Sequence, residues 1–276
     1  MASIKGKTAL VTGASSGIGK ITVEMLLAEG AKVYAAARRT EKMKDIEEKG
    51  AKIFLMDVTD EESVKAGIKS ILEKEGSVDI LVNNAGYGSY GAIEDVPMEE
   101  AKRQFDVNVF AVARLIQLIL PEMRKNRYGK IINISSIAGK IYTPFGGWYH
   151  ATKHALEGLS DCMRLETKPF GIDVVIIEPG AINTEWASIA AENLKKTSGK
   201  GAYSRKASQT AENMLKMYAT PGRRSEPSVI AEAIIKAVKA KKPKTRYSAG
   251  AMAKLSLFGR KWLSDRQFDS IISRMM

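Results

Sequence analysis

The chain reads Thr8-Ala9-Leu10-Val11-Thr12-Gly13-Ala14-Ser15-Ser16-Gly17-Ile18-Gly19 near its N-terminus. Residues 8–12 are apolar or β-branched, which predicts a buried strand, and the glycines that follow predict a tight turn. A helical pattern begins at Gly17, so strand, turn and helix are predicted in immediate succession. In that setting the turn favours a dinucleotide, because its backbone can bring a pyrophosphate to the amides of a helix N-terminus. A plain tight turn is the alternative.

The rest of the chain continues this alternation of short apolar runs and longer helical patterns. Further strands are predicted at residues 32–36, 52–56, 79–82, 130–135 and 173–177, and helices at 17–29, 41–48, 61–75, 99–125, 149–168 and 227–240. Such alternation is typical of βαβ units with right-handed crossovers. The predicted fold class is therefore α/β, a doubly wound (Rossmann), mostly parallel sheet with helices on both faces, which binds ligands at the carboxyl ends of its strands.

Residues 1–250 are predicted to form one dinucleotide-binding and catalytic domain. Within it, residues 183–226 are polar and helical without a clear strand, which indicates a lid over the substrate or a mobile insertion. Residues 251–276 are predicted to be a basic, amphipathic helical extension that packs on the domain through apolar side chains, among them Leu255, Phe258, Trp262 and Phe268.

The formal net charge is +12, and its distribution along the chain is uneven. From residue 241 onward there are nine Lys or Arg against two Asp, a net charge of +7. A basic tail can bind nucleic acid or an anionic membrane, or it can be a solvated surface without a partner. Its leucines and aromatic residues suit a membrane better than a phosphate backbone, so we expect no nucleic-acid partner and a weak membrane-surface contact.

The compartment is inferred from cysteine usage and from hydropathy. The single cysteine, Cys162, excludes an internal disulfide and fits a reducing compartment, and we expect its thiol to pack within a helix. The N-terminus shows no pattern of a secretory signal. The long apolar window at residues 109–120 is interrupted by Arg114 and Gln117, so no membrane span is expected. We therefore expect a cytoplasmic protein.

The end of the second predicted strand bears on the choice of dinucleotide. An NAD site usually places an acid about 20 residues after the glycines, where it binds the ribose 2′-hydroxyl. This chain instead has Arg38 and Arg39 at that point. A guanidinium offers planar donors that suit a phosphate, so we expect NADP(H) rather than NAD(H). The alternative is that both arginines are solvated surface charges.

Tyr149 and Lys153 stand four residues apart in a helical pattern, so they lie on one face of the helix. The pair becomes informative because Ser136 ends a preceding apolar run and Asn83-Asn84-Ala85-Gly86 follows another strand. A free tyrosine has a pKa near 10, and a cation ~4 Å away at an effective dielectric constant of about 20 contributes roughly 4 kcal/mol, or about three pKa units. Lys153, together with an oxidised nicotinamide, could thus bring the pKa of Tyr149 into the range of a general base.

His150 and His154 are also four residues apart, but we expect no metal there. They lie about 100° around the helix from Tyr149 and Lys153. No acidic or cysteine cluster supplies the remaining ligands that a zinc site needs.

These motifs, in this order, resemble those of the short-chain dehydrogenase/reductase family over about residues 5 to 250. The motifs are Gly13-x-x-x-Gly17-x-Gly19, Asn83-Asn84-Ala85-Gly86, Ser136, Tyr149-x-x-x-Lys153 and Pro179-Gly180. Finer details are similar to the hydroxysteroid and retinol dehydrogenase branch and to acyl-dihydroxyacetone-phosphate reductases.

The resemblance implies roles for single residues. Tyr149 would be the acid that protonates a carbonyl oxygen, or the base in the reverse direction, and Ser136 would stabilise the charge on that oxygen. Lys153 would also hold the nicotinamide ribose, and Asn108 would hold a water in a proton relay. The cofactor-binding residues would be Gly13, Ser15, Ser16, Gly17, Ile18, Gly19, Arg38, Arg39, Asp57, Val58, Asn84, Ala85, Gly86, Tyr149, Lys153, Pro179, Gly180, Ile182 and Thr184.

The resulting hypothesis is an NADP(H)-dependent oxidoreductase that acts on a bulky, largely apolar ketone or secondary alcohol, such as a steroid, retinoid or lipid. Aromatic residues flank the motifs and could line its substrate cavity, although about half should be packing: Tyr87, Tyr90, Tyr142, Phe145, Trp148 and Trp186. The resemblance also implies a homodimer or homotetramer. The alternatives are a non-catalytic dinucleotide-sensing regulator on the same fold and a peripheral, membrane-associated lipid reductase.

Overall fold

The computed structural model describes residues 2–275, the last of them in its backbone alone. One sheet is built from β1 (Thr8–Thr12), β2 (Lys32–Ala37), β3 (Lys52–Leu55), β4 (Ile80–Asn83), β5 (Gly129–Ile134), β6 (Ile172–Pro179) and β7 (Arg246–Ala249). The seven strands are parallel and follow the order β3-β2-β1-β4-β5-β6-β7. The strand order reverses between β1 and β4, which is where a doubly wound sheet opens a crevice for ligands.

Helices cover both faces of this sheet. They are α1 (Gly17–Ala28), α2 (Lys44–Glu48), α3 (Glu61–Glu75), α4 (Met98–Phe105), α5 (Ala111–Lys125), α6 (Gly147–Thr167), α7 (Trp186–Ser198), α8 (Ser204–Ala219), α9 (Pro227–Lys239), α10 (Ala253–Trp262) and α11 (Asp265–Met275).

Alternate side chains of each central strand are buried on opposite faces of the sheet. On β1, Val11 packs with residues of α1 and α9, including Val23 and Ile234. Its neighbour Leu10 packs with residues of α3, α5 and α6, including Leu115. The α/β, doubly wound fold class predicted from the sequence is confirmed.

The predicted bounds are most accurate where the sequence contains a local stop signal. The bounds of β1 and α3 are confirmed to the residue. Helix α3 begins after Asp60, whose carboxylate accepts hydrogen bonds from the amides of Glu62 and Ser63, and it ends at Gly76 in the left-handed conformation.

The helical run Met98–Lys125 is, by length and composition alone, long and apolar enough to cross a membrane. Leu115, Ile119 and Met123 on this run are buried against the sheet, so here it acts as a core helix. In its middle, Asp106–Phe110 forms a π-helical turn, a feature that is frequent near functional sites.

Strand β7 was not predicted. Its four residues pair with the last four of β6, but they are only partly buried and show no apolar alternation. Arg246, which was counted among the charges of a basic tail, instead forms ion pairs with Glu157, Asp161 and Glu178. Ion pairs therefore contribute to holding this edge strand, and a hydrophobic pattern does not reveal them.

The predicted packing of the C-terminal extension is wrong for α10 and correct for Phe268. Leu255, Phe258 and Trp262 are 64%, 65% and 67% exposed, because α10 contacts the domain through the opposite face at Ala253. Phe268 on α11 is buried, and its ring lies 5.2 Å from that of Tyr142. Cys162, which we expected to pack inside, is exposed on α6.

Candidate active site

The turn between β1 and α1 requires glycine at three positions. Gly13 and Gly17 have φ angles of +64° and +54°, in the left-handed region that favours glycine. A Cβ on Gly19 would lie 2.4 Å from the Gly13 carbonyl oxygen and 2.5 Å from Nδ2 of Asn84. These glycines therefore allow β1, α1 and the loop after β4 to meet in direct contact.

Asn84 fastens the loop after β4 to this turn. Its Nδ2 donates to the carbonyl oxygens of Thr12 and Gly13, at 3.0 and 3.2 Å. In return, the Thr12 hydroxyl accepts hydrogen bonds from the amides of Asn84 and Ala85, both at 3.1 Å. Asn84 was predicted to contact the cofactor, and the structure shows that it also fixes the shape of the crevice.

The start of α1 fits an anionic group. Ser16 is its N-cap, and within the described residues no side chain caps the helix and no acid occupies its first turn. The first amides therefore remain available to a pyrophosphate. Thr184 lies across the turn, since a Cβ on Gly17 would come within 3.0 Å of its methyl group. Turn, helix terminus and Thr184 together form a cradle that suits a dinucleotide.

Arg38 and Arg39 follow β2 at the edge of this cradle. Arg39 donates to the Ser16 hydroxyl at 3.2 Å, which places its guanidinium beside the glycine turn. Arg38 is exposed and has one guanidinium nitrogen 3.9 Å from a carboxylate oxygen of Asp57. Both arginines thus lie at the edge of the cradle, where the sequence predicted that they would bind a ribose 2′-phosphate.

Glu185 and Lys42 also lie there, and neither residue was predicted from the sequence. The Glu185 carboxylate accepts from Arg39 at 3.2 Å and from Lys42 at 3.4 Å. These hydrogen bonds lower the pKa of Glu185. No local pattern identifies the contact, because Arg39 and Glu185 are 146 positions apart.

The other residues that were predicted to bind the cofactor have partners within the protein. Asp57 accepts from the amide and hydroxyl of Thr59, and the Val58 carbonyl accepts from Arg114 at 3.3 Å. A Cβ on Gly180 would lie 2.0 Å from the carbonyl oxygen of Ala251. Ile182 is buried in the core under α1 and α9. Its side chain therefore packs within the protein in addition to any contact with a cofactor.

Tyr149, Ser136 and Lys153 converge at the carboxyl ends of β5 and β6. Ser136 lies close enough to the Tyr149 hydroxyl to lower its pKa. The Lys153 ammonium donates to the Ile134 carbonyl at 2.8 Å and lies 5.9 Å from the centre of the Tyr149 ring. Tyr149 and Lys153 are almost fully buried. The structure therefore brings together the three groups that the motifs singled out.

Burial controls the protonation of this site. It raises the pKa of Tyr149 well above the ordinary value of 10, an effect that the hydrogen bond with Ser136 only partly opposes. It also lowers the pKa of Lys153 to about 8, against the opposing charge of Glu157. The prediction that Lys153 and an oxidised nicotinamide together lower the pKa of Tyr149 concerns the enzyme with bound cofactor; in the protein alone, burial is the largest effect on this pKa.

Asn108 lies next to these groups on the π-helical turn. Its Oδ1 accepts from the Tyr87 amide at 3.1 Å, and its Nδ2 donates to the Tyr87 carbonyl and the Thr152 hydroxyl. Both amide protons are therefore used. A water relay through this side chain would have to use the remaining lone pair of Oδ1.

Tyr90 and Trp186 form an aromatic wall beside Tyr149. The Trp186 ring is 5.3 Å from that of Tyr149 and 5.7 Å from that of Tyr90. Phe145 packs against the same cluster, together with residues of α7 and α8. The other flanking aromatic residues lie outside this wall. Tyr142 packs against Phe268 of α11, the Tyr87 hydroxyl donates to the Glu100 carboxylate, and Trp148 lines a groove on the outer surface.

The two histidines have structural partners. The ring nitrogens of His150 contact the Ala138 carbonyl at 3.1 Å and the Thr143 amide at 3.0 Å. Among residues 2–274, no group of three His, Cys, Asp or Glu side chains is arranged to hold a metal ion.

Comparisons with known proteins show that this chain is similar to short-chain dehydrogenases. The family model described as short chain dehydrogenase matches residues 7–195, a range that contains the glycine turn, Ser136, Tyr149 and Lys153. A solved short-chain dehydrogenase from Streptomyces avermitilis has a TM-score of 0.81 and 33% identity, and the alignment covers 98% of this chain and 95% of that one.

Two curated relatives are similar over a shorter range. The 3-ketodihydrosphingosine reductase of Bacteroides thetaiotaomicron is 43% identical over 63% of this chain and 64% of its own length. The NADPH-dependent 3-dehydrocapnine reductase of Ornithobacterium rhinotracheale is 42% identical over 64% of this chain and 66% of its own. Each alignment thus spans slightly less than two thirds of the relative.

Proposed function

The chain belongs to the short-chain dehydrogenase/reductase family and is an NAD(P)-dependent oxidoreductase, and we propose that it uses NADPH to reduce the ketone of a lipid-like substrate. The observation that carries this proposal is the burial of Tyr149 beside both Ser136, which lowers the pKa of its hydroxyl, and the Lys153 ammonium. The product would be a secondary alcohol.

The protonation state of Tyr149 suits the role of proton donor in a reduction. Because burial raises its pKa, the hydroxyl keeps its proton at neutral pH and is a donor rather than a base. Ser136 would donate to the same substrate oxygen and stabilise the negative charge that develops there. Lys153, with a pKa of about 8, is mostly cationic at neutral pH and would stabilise the tyrosinate left after proton transfer. A bound nicotinamide would supply the hydride.

The substrate side of the site favours a bulky apolar ketone. Tyr90, Trp186 and Phe145 present apolar rings around the Tyr149 hydroxyl, and α7 and α8 close over them as a lid. A flexible chain could pack on this wall through dispersion and apolar burial. The names of the two relatives, which refer to 3-keto and 3-dehydro compounds, support this class of substrate.

The choice of NADPH rests on the arginines after β2. Residues 35–39 contain no acid that could bind a ribose 2′-hydroxyl, whereas Arg38 and Arg39 can bind a 2′-phosphate. The carboxylate of Glu185 already lies on Arg39 and Lys42, which indicates that this spot accepts an anion. A 2′-phosphate would replace Glu185 there. The NADPH dependence named for one relative is consistent with this choice.

We also infer that the protein is a homo-oligomer in the cytoplasm. A surface groove of about 370 Å³ between α4 and α6 is lined by apolar residues, among them Met98, Phe110 and Trp148. Met98 and Phe110 are 51% and 53% exposed, and a second copy of the chain would bury them. The exposed thiol of Cys162 would stay reduced in the cytoplasm, and cell fractionation would test that location.

Replacing Tyr149 with Phe should abolish reduction and leave NADPH binding almost unchanged, because only the proton donor is removed. We expect kcat to fall on the order of a thousandfold. Steady-state rates with long-chain ketones and a fluorescence titration with NADPH would measure the two effects. Tyr128→Phe, before β5, is the matched control and should retain activity. Normal turnover in Tyr149→Phe would remove this residue from the mechanism.

The rate of reduction should fall as the pH rises through about 8, because Lys153 loses its proton there while Tyr149 keeps its own. The measurement is kcat/KM for the ketone at saturating NADPH, with circular dichroism at each pH to show that the protein stays folded. A rate that remains constant well above this pH would contradict the role of the Lys153 charge.

Opposite changes in NADPH affinity should follow from two substitutions at the cofactor edge. Arg38→Ala should raise the Kd for NADPH about tenfold, because it removes a charged donor to the phosphate. Glu185→Gln should lower that Kd roughly two- to fivefold, because an exposed carboxylate no longer competes for Arg39.

Fluorescence titrations with NADPH and NADH would measure both effects, and the Kd for NADH should change little in either variant. Glu41→Gln is the control for Glu185→Gln, since it removes an exposed acid two residues after Arg39 that forms no ion pair with it. Equal changes for the two dinucleotides would refute the 2′-phosphate assignment.

Phe110→Glu should dissociate the oligomer, because it places a charge in the apolar groove between α4 and α6. Light scattering after size exclusion would give the mass of each species. The control is Leu55→Glu at the β3 edge, where Leu55 is 70% exposed, and this variant should keep the mass of the oligomer. An unchanged mass in Phe110→Glu would mean that copies associate elsewhere or not at all.

A further inference from the structure

Helix α10 exposes a continuous apolar stripe. Met252 at its N-cap is 44% exposed, and Leu255, Phe258 and Trp262 are 64%, 65% and 67% exposed. These positions follow one another at intervals of three, three and four residues, so they lie along one face of the helix. A run of four exposed large apolar residues differs from the single exposed residues that are normal on a surface.

The opposite face of α10 is fixed to the domain. Ala253 is 1% exposed, and Ala251, just before the helix, forms an isolated bridge with Ala181 in the loop after β6. That loop begins at Gly180, directly after Pro179 ends β6 at the carboxyl edge of the sheet. The stripe is therefore held on the same edge of the molecule as the active site.

Basic side chains flank the stripe. Lys254 and Lys261 are exposed neighbours of it on α10. A surface cavity of about 500 Å³ begins at Lys254 and continues between α9 and β7, where Lys236 and Lys244 also line it and Glu232 is its one acid. Among the described residues, Lys236, Lys244 and Lys254 have no carboxylate within ion-pair distance, so their charge is not neutralised by the protein.

We propose that α10 docks this protein on a membrane surface that contains anionic phospholipid. A helix with an apolar face and basic flanks lies in the plane of the bilayer interface, with its apolar side chains below the headgroups and its lysines among them. The lysines would gain from the negative surface potential of such a membrane. Docking would bring the carboxyl edge of the sheet, with the active site, close to the lipid from which an apolar ketone could be taken.

Two other occupants fit the same surface less well. A second copy of this chain would bring two faces of like charge together, since residues 241–276 carry a net charge of +7. Nucleic acid would satisfy the lysines but leave the leucine, phenylalanine and tryptophan of the stripe without apolar burial. An anionic bilayer satisfies both kinds of side chain.

The test is co-sedimentation of the purified full-length chain with vesicles. One set contains phosphatidylcholine alone, and the other contains equal amounts of phosphatidylcholine and phosphatidylserine, each at low and at high salt. We expect binding to the second set, with part of it lost at high salt because surface charges are screened. A gel-shift assay with duplex DNA is run in parallel.

Two variants separate the apolar and the charged contributions. The triple variant Leu255→Ser, Phe258→Ser, Trp262→Ser should lower the vesicle partition coefficient on the order of a hundredfold. The double variant Lys254→Gln, Lys261→Gln should lower it roughly fivefold for each lysine. Because all these side chains are exposed, the fold should tolerate the changes. The controls are Leu55→Ser at the opposite sheet edge and Lys125→Gln on α5, and both should bind vesicles like the unchanged chain.

Loss of vesicle binding in the triple variant but not in the controls supports the proposal. No sedimentation with anionic vesicles, equal binding by the triple variant, or binding to DNA alone would each overturn it. The proposal concerns docking and not turnover, so reduction of a detergent-dispersed ketone should be the same in all variants. Its failure would therefore leave the proposed reductase activity standing, and absence of that activity would leave the docking result intact.

Discussion

The structure depends on the close contact between the glycine turn and the loop after β4. Asn84 donates to the carbonyls of Thr12 and Gly13, and Gly19 leaves no space for even a methyl group between them. This contact joins the ends of β1 and β4, the two strands between which the chain reverses direction across the sheet. The crevice for a dinucleotide therefore exists only while these carbonyls, this amide and this glycine remain together.

The same compactness determines the chemistry at the other side of the crevice. Tyr149 and Lys153 are held where water is almost excluded, and burial penalises the charged form of each. Burial raises the pKa of Tyr149, so its hydroxyl is the proton donor in the proposed reduction. The pKa of Lys153 is lowered to about 8 against the opposing charge of Glu157, so the ammonium is mostly charged at neutral pH and would stabilise a tyrosinate.

Local patterns predicted the central sheet, α3 and the convergence of Ser136, Tyr149 and Lys153, because burial periodicity, caps and parallel strand ends follow from nearby residues. Features that depend on distant partners were not predicted. Strand β7 is partly held by the ion pairs of Arg246, and Glu185 meets Arg39 only through the fold. The apolar spacing of α10 was visible in the sequence, but which face meets the domain was not. The burial that raises the pKa of Tyr149 in the protein alone was not predicted either, because desolvation depends on distant packing and not on spacing.

Glu185 and Trp186 are consecutive residues that touch different halves of the site. The first contacts Arg39 on the cofactor side, and the second stacks on the ring of Tyr149 on the substrate side. A ligand that displaced Glu185 would therefore act on the residue next to Trp186. Any coupling between the two halves of the site that this adjacency produced would be reciprocal, with the same factor in both directions.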